Sequence, residues 1–382
     1  MTRQEISEAS QQIASLRERI DAVDLAILDL LNQRAAIVEE VGRVKQAGKG
    51  ISTYVPRRER DILERLSREN QGPFPQQAVP LVFREIISAC RSLEATLNIA
   101  YFGTPGSFSH TAAINRFGNS AAFHHQPEHI SDVFRAVEKG ECKYGVVPIR
   151  NSTHGVVAET IDNFIRSDLR IYAETHLEVH HQFLSRSKPE EIQRIYTHGQ
   201  AFGQCREWLE KHYHQAEYIE VANTALGAER ASREPGTAAI AAELASIIYN
   251  LPILYPNIED RSHNTTRFVV IGYDSEQPTG RDKTSMIVQL RNRPGSLLSA
   301  LEPFRKHKIN LTHIDSRPTK SERWEYLFFI EFEGHVQEDR VQVALTDLEE
   351  FCTHIKLLGS YPEEETCRVS PTRISEQAAI ET

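Results

Sequence analysis

The feature that most limits how this chain can fold is its opening run, Ser7–Ala47, which contains no proline. Ile13, Leu16, Ile20, Val23, Ile27, Leu28, Leu31, Val38 and Val41 recur there at helical spacing, and only Gly42 interrupts them. At 1.5 Å per residue the run predicts one helix of about 60 Å, longer than a small domain is wide. Gly48-Lys49-Gly50 ends it. A second helix is expected after Pro56, carrying Ile62, Leu63 and Leu66, and a third from near Gln76 through Leu81, Ile86, Cys90 and Leu93. Two short helices do not cover so long a partner. A helical dimer is the simplest way to bury its apolar stripe.

The pattern changes near Thr96. Leu97–Gly103, Lys143–Ile149, Arg170–Leu184, Glu191–Thr197, Thr237–Ala241 and Phe268–Ile271 read as strands, with helical stretches such as Ile130–Glu138, Val156–Arg166 and Ala201–Lys211 between them. This alternation predicts an α/β domain. Asp274–Asp282 is polar and reads as a linker. From Thr284 the order βαββαβ predicts a ferredoxin-like α+β sandwich, with its third strand expected over Trp324–Phe332 and its fourth over His354–Gly359. The polar tail after Pro362 predicts disorder. The expected domains are residues 1–96, 97–273 and 283–362, followed by a tail over 363–382.

With 382 residues the chain is too long for one core, and its net charge of -9 argues against general electrostatic binding of nucleic acid. Its five cysteines are scattered and nowhere spaced C-x-x-C, which points away from disulfides and thiolate zinc and towards a reducing compartment, the cytoplasm. There is no signal pattern and no apolar run of about 18 residues, so neither export nor a membrane span is expected. The 16 histidines, including His124-His125, His180-His181 and His212/His214, have no matching carboxylate or cysteine set and read as structural.

Arg17, Arg34, Lys45 and Arg58 would each, alone, be an ordinary solvated charge. They stand in Leu16-Arg17-Glu18-Arg19-Ile20-Asp21, Leu31-Asn32-Gln33-Arg34, Val41-Gly42-Arg43-Val44-Lys45 and Arg57-Arg58-Glu59-Arg60. Over residues 7–95 this resembles the all-helical chorismate mutases. The resemblance implies a homodimer with interlocked long helices and sites shared between chains. Chorismate rearranges to prephenate without proton transfer, so the protein has only to hold two carboxylates and an ether oxygen in the reactive conformer. By the resemblance, Arg17 and Arg34 bind the carboxylates through their planar forks. Lys45 donates to the ether oxygen, where charge builds. Arg58 and Glu59 complete the pocket, Glu59 accepting from the substrate hydroxyl. Cys90 and Glu94, one helical turn apart, stand where many members have Ser and Gln. A carboxylate cannot donate, so Glu94 has to be protonated to serve as a second ether-oxygen donor. A mutase rate that falls as pH rises, flattened by Glu94→Gln, is the expectation.

Four further runs resemble the prephenate dehydratases across residues 97–272. They are Ala100-Tyr101-Phe102-Gly103 through Gly106-Ser107-Phe108-Ser109, Gly145-Val146-Val147-Pro148-Ile149-Arg150-Asn151-Ser152, His198-Gly199-Gln200 through Gln204-Cys205, and Asn264-Thr265-Thr266-Arg267-Phe268. Such domains are two α/β lobes around a cleft. The family reaction expels the ring hydroxyl and carbon dioxide together, giving phenylpyruvate, so a proton donor near that hydroxyl is the main requirement. The resemblance assigns Thr266 to orient or relay a proton. Arg267, beside Phe268, holds a carboxylate or braces the cleft, and Ser107, Asn151, Ser152, Thr153 and Gln200 are neutral donors for substrate oxygens. The chain departs from the family at Arg150 and His154, where Glu is common, at Thr265 for Ser, and at Thr104-Pro105 in the glycine-rich loop. Three outcomes stay open: a working site with re-paired charges, a lost dehydration, or decarboxylation without loss of hydroxide.

Arg293-Pro294-Gly295-Ser296-Leu297-Leu298 and Asp315-Ser316-Arg317-Pro318 resemble the phenylalanine-binding motifs of ACT-type regulatory domains, with Ser296 and Asp315 for the usual Ala and Glu. This implies L-phenylalanine bound between paired domains as an inhibitor. The whole chain thus resembles the bifunctional chorismate mutase–prephenate dehydratases. No metal or organic cofactor is implied, because neither step is redox. The rival readings are a mutase with an inactive or altered second domain, and an amino-acid-binding regulatory protein with vestigial sites.

Overall fold

The computed structural model describes residues 3–47, 54–126, 129–261, 263–291, 293–318 and 326–364. Gly48-Lys49-Gly50, Trp324 and the tail from residue 365 lie outside them.

Three helices lead the chain: α1 (Arg3–Ala47), α2 (Pro56–Glu69) and α3 (Ala78–Glu94). α1 is one uninterrupted helix of 45 residues. Pro56 opens α2, where a missing N–H has no helical partner to lose. Gly42 breaks the apolar pattern of α1 because α3 crosses there: a Cβ on Gly42 would lie 3.2 Å from Glu94 Cγ. The rest of the stripe is uncovered, and Leu16, Ile20, Ile27, Leu28 and Ile37 are 47–61% exposed. Among the described residues no helix is long and apolar enough to cross a membrane.

Then follow β1 (Asn98–Phe102), α4 (Phe108–Phe117), β2 (Ala122–Gln126), α5 (Ile130–Glu138), β3 (Tyr144–Asn151), β4 (Gly155–Val156), α6 (Ala158–Arg166) and β5 (Arg170–Glu178). The chain continues through β6 (Gln182–Leu184), β7 (Arg194–Thr197), α7 (Gly199–Gln204), α8 (Arg206–His212), β8 (Glu217–Glu220), α9 (Thr224–Ala231), β9 (Thr237–Ala241), α10 (Glu243–Tyr249), β10 (Ile253–Tyr255) and β11 (Thr265–Gly272). The first lobe is the sheet β2-β1-β3-β11-β5 with β4 beside β3, and the second is the sheet β10-β6-β9-β7-β8. The run Arg170–Leu184, expected as one strand, is therefore two strands in different lobes, with His180-His181 at the crossing. β11 returns from the second lobe to lie antiparallel between β3 and β5.

The last part is β12 (Asp282–Leu290), α11 (Ser296–Lys306), β13 (Leu311–Pro318), β14 (Tyr326–Glu333), α12 (Asp339–Glu349) and β15 (Cys352–Pro362), the expected βαββαβ order, on the antiparallel sheet β13-β14-β12-β15. Strand alternation divides its two faces. Met286, Val288, Ile330 and Phe332 pack under α11 and α12, while Ile287, Phe329, Leu358 and Tyr361 join the core of the first lobe. The sandwich and the lobes are thus one compact unit, and the helices are another; Gly118–Ser120 counts with the helices and Pro56–Arg60 with the rest. The polar segment before β12 is tied down, not free: Asp282 accepts from the backbone of Thr279 and Gly280 and from the Thr279 hydroxyl. At the seam β15 runs so close to β5 that a Cβ on Gly359 would meet the Ile171 carbonyl oxygen at 2.2 Å.

Candidate functional site

Arg17 and Arg34 are 17 residues apart on one straight helix, a separation of roughly 25 Å. That is far beyond the span of a small dicarboxylate. Arg17 and Arg58 are exposed, whereas Glu59 and Cys90 are buried. Arg34 is half-buried, and its Nη1 is shut off from solvent with no hydrogen-bond partner among the described residues. Such an orphaned donor carries a desolvation cost that an incoming anion would offset. Lys45 Nζ donates to Glu94 Oε2 at 2.8 Å. Glu94 Oε2 is thus the acceptor that holds the very lysine assigned to the ether oxygen.

In the first lobe the matched runs gather at the carboxyl end of the parallel strands β1 and β3, the usual ligand side of such a sheet. Asn151 ends β3 and lies opposite Thr266 of β11. Asn151 Oδ1 accepts from the backbone N–H groups of Thr153 and His154 at 2.9 and 3.1 Å. Those groups can only donate, so the other amide atom is Nδ2. It donates to Asn264 Oδ1 and to Thr266 Oγ1, both at 2.8 Å. Thr266 Oγ1 is therefore the acceptor in that contact, which leaves its own proton available to donate elsewhere. Asn264 Nδ2 donates on to Gln204 Oε1 at 2.9 Å, which also faces His181 Nε2 at 2.7 Å. Burial pushes the His181 imidazole down, towards the neutral form that donates through Nε2. The chain of contacts thus runs from the first lobe into the second.

Asn151 engages both amide protons and its oxygen within the protein. Ser152 is likewise committed, its Oγ accepting from Thr265 N at 2.9 Å. Thr153 and Gln200 are exposed, and Gln200 lies in the first turn of α7. Ser107 is buried beside α4, where its Oγ caps His110 N at 3.3 Å. His110 accepts from Gly106 N at 3.2 Å and stacks on Tyr101; burial, with His125 adding to it, pushes it down to about 4. It holds the glycine-rich loop as a neutral acceptor. His110, His181, Gln204 and Asn264 were missed as site residues; only the Asn264–Phe268 and Gln204–Cys205 motifs hinted at two of them.

Two strands also correct the reading of the arginines. Arg150 and Arg267 are register partners, one residue from Asn151 and Thr266, and so face the opposite side of the sheet. Arg267 is buried and bidentate on Glu331 of β14, at 2.6 and 2.8 Å, with its Nε 2.6 Å from Glu174 of β5. It holds carboxylates, but the protein's own. Phe268 is buried in the sheet. In the sandwich, Gly295 adopts φ +82°, a left-handed turn that favours glycine, at the N-terminus of α11. Ser296 is half-buried and donates to the Arg291 carbonyl, Leu297 and Leu298 are 37% and 75% exposed, and Asp315, Ser316 and Pro318 lie at the end of edge strand β13. Arg317 donates to the Ala158 carbonyl oxygen at 2.7 Å.

Comparison with known proteins agrees with this division. Family models match in series: "Chorismate mutase type II" over residues 16–95, "Prephenate dehydratase" over 99–276 and "ACT domain" over 284–350. The bifunctional chorismate mutase/prephenate dehydratase of Aquifex aeolicus is 44% identical over 359 residues, 92% of this chain and 98% of that protein. The chain belongs to the bifunctional chorismate mutase/prephenate dehydratase family. The Pseudomonas aeruginosa member is 41% identical over 92% of this chain and 98% of its own length. The prephenate dehydratase of Arthrobacter aurescens, solved in complex with L-Phe, superposes with a TM-score of 0.65 at 30% identity, over 70% of this chain and 90% of its own. The helices are thus the mutase domain, the two lobes the dehydratase domain and the sandwich the ACT domain, in an enzyme that is both an isomerase and a carbon–oxygen lyase.

Proposed function

We propose that two copies of the chain build each mutase site, that Thr266 supplies the proton for dehydration, and that L-phenylalanine bound by the ACT motifs inhibits the second step. The roughly 25 Å between Arg17 and Arg34 supports a shared site, because one substrate meets both only if they come from different chains. The uncovered stripe of α1 supports the same pairing. In such a site Arg17 and the orphaned Arg34 take the two carboxylates, and Lys45 turns from Glu94 to the ether oxygen as the C–O bond breaks and the new C–C bond forms. Arg58, Glu59 and Cys90 keep their assignments on resemblance alone.

The Thr266 hydroxyl, which accepts from Asn151 and so keeps its own proton to donate, carries the dehydratase reading. Prephenate loses its ring carboxylate as carbon dioxide; the freed electron pair enters the ring and the ring hydroxyl leaves as water, which takes up one proton. Thr266 passes that proton and recovers it from solvent. Thr153, Gln200 and Ser107 are left as neutral donors for the remaining oxygens. Strand phase turns Arg150 to the face opposite Asn151 and Thr266, which favours a working dehydratase site over an inactive one. Gly295 with φ +82°, the exposed Leu298 and the free edge of β13 favour an amino-acid site formed between paired ACT domains.

Two variants separate the steps. Arg34→Ala is expected to stop phenylpyruvate formation from chorismate and leave it intact from prephenate; Thr266→Val is expected to stop both. Full chorismate turnover by Arg34→Ala, or normal dehydration by Thr266→Val, sinks the corresponding assignment.

A further inference from the structure

β3 and β11 present Asn151 and Thr266 to the cleft and, one residue away, Arg150 and Arg267 to the ACT sheet. Arg267 is gripped from three strands. Glu331 of β14 takes it bidentately, Glu174 of β5 meets its Nε, and the Tyr361 hydroxyl of β15 accepts from Nη2 at 2.7 Å. Around it Ser285 donates to Glu331 at 2.7 Å and Lys283 to Glu174 at 3.1 Å, all of them buried. The neighbouring contact between the domains is apolar, through Ile287, Phe329 and Leu358. A buried charged cluster stabilises less than the apolar packing that would replace it, but a bidentate guanidinium fixes direction. On the far side, Glu331 pairs in register with His313, and Phe329 with Asp315 of the ligand motif. The same motif's Arg317 reaches the Ala158 carbonyl at 2.7 Å, in the first residue of α6, just past the β3–β4 turn that holds Asn151.

We propose that Arg267 is a positioning residue for Thr266, and that its grip by Glu331, seconded by Arg317 on Ala158, is the link through which the ligand state of the ACT motif reaches the dehydratase site. The proposal rests on the reading that this motif binds L-phenylalanine. Both members of the Asn151–Thr266 pair then have an adjacent contact held by the ACT sheet. A shift of β13 and β14 on ligand binding moves β11 through Arg267 and the β3–β4 turn through Ala158, and so alters the contact that leaves the Thr266 proton free to donate.

The test uses the full-length chain and the variants Glu331→Gln and Tyr361→Phe. L-phenylalanine binding is measured by calorimetry and dehydratase inhibition by titration; the mutase rate in the same preparations normalises enzyme concentration, and circular dichroism reports folding. For Glu331→Gln the expected result is a mutase rate within twofold and L-phenylalanine affinity within threefold of wild type, with the half-inhibiting concentration at least tenfold above the dissociation constant. For Tyr361→Phe, which deletes one oxygen, a rise of at least threefold is expected. Inhibition that still tracks binding in both variants overturns the link. If Glu331→Gln does not fold, Tyr361→Phe alone decides by the same criterion. If the wild type neither binds nor responds to L-phenylalanine, the ligand assignment itself is wrong and the link falls with it.

Discussion

The direction of one hydrogen bond makes a sharp prediction. Asn151 Nδ2 donates to Thr266 Oγ1 at 2.8 Å, and this leaves the Thr266 proton free for a leaving hydroxyl. Asn151→Asp keeps the shape and the Oδ1 contacts to the backbone N–H groups of Thr153 and His154, but replaces the donor to Thr266 and Asn264 with an acceptor. The Thr266 hydroxyl then donates inward to the new carboxylate, the stronger acceptor. A positioned proton donor contributes about 10²–10⁴-fold, and loss of one transition-state hydrogen bond costs about 10²–10³-fold, or roughly 3–4 kcal/mol. Asn151→Asp is therefore expected to lower dehydratase kcat by about 10²–10³-fold, as Thr266→Val does, with KM for prephenate changed much less. Thr266→Ser keeps the hydroxyl and should stay within about tenfold, one such step being about 1.4 kcal/mol. Steady-state phenylpyruvate formation from prephenate measures all three, and the mutase rate is the internal control. An Asn151→Asp enzyme with near wild-type kcat would refute the reasoning, because the direction of that bond would then not matter.

Other consequences follow from particular contacts. Glu94→Gln replaces the charged acceptor that holds Lys45 with a neutral amide; the mutase rate on chorismate should change, and an unchanged rate would remove Glu94 from the site. Leu16→Glu with Ile20→Glu places charge on the exposed stripe of α1 and should yield monomers in sedimentation, with mutase activity lost and prephenate dehydration retained. Burial opposes the charge of Glu331, but Arg267, Ser285 and Lys283 outweigh it and hold its carboxyl at about 2, below the ordinary 4.5. Because the folded value lies below the unfolded one, its stabilisation, about 3 kcal/mol, is full above pH 4.5 and fades as pH falls towards 2. Acid unfolding followed by circular dichroism should be shallower in Glu331→Gln than in the wild type across that interval.

Where function rests on local pattern, the chain was legible. A proline-free run with helical spacing leaves α1 little alternative, and the alternation of apolar and polar residues from Thr284 onward predicts the βαββαβ sandwich. Where function rests on strand phase, it was not. Arg150 and Arg267 sit inside matched motifs, but a motif does not say which face a strand turns to the cleft, and both face the ACT sheet. The Asn151–Thr266 bond joins residues 115 apart, and it forms only because β11 returns between β3 and β5 after the whole second lobe. Arg170–Leu184 read as a single strand because its apolar character continues through a crossing between sheets. Lys45 and Glu94 carry no local sign of their pairing; Gly42, the lone break in the α1 pattern, marks the close approach of α3 that brings them together.

The central claim is that one chain carries two working sites in series. It is tested most directly by supplying the purified protein with chorismate and, separately, with prephenate, and quantifying prephenate and phenylpyruvate in each. The account predicts phenylpyruvate from both substrates. Prephenate accumulating from chorismate, with no phenylpyruvate from either, would contradict it.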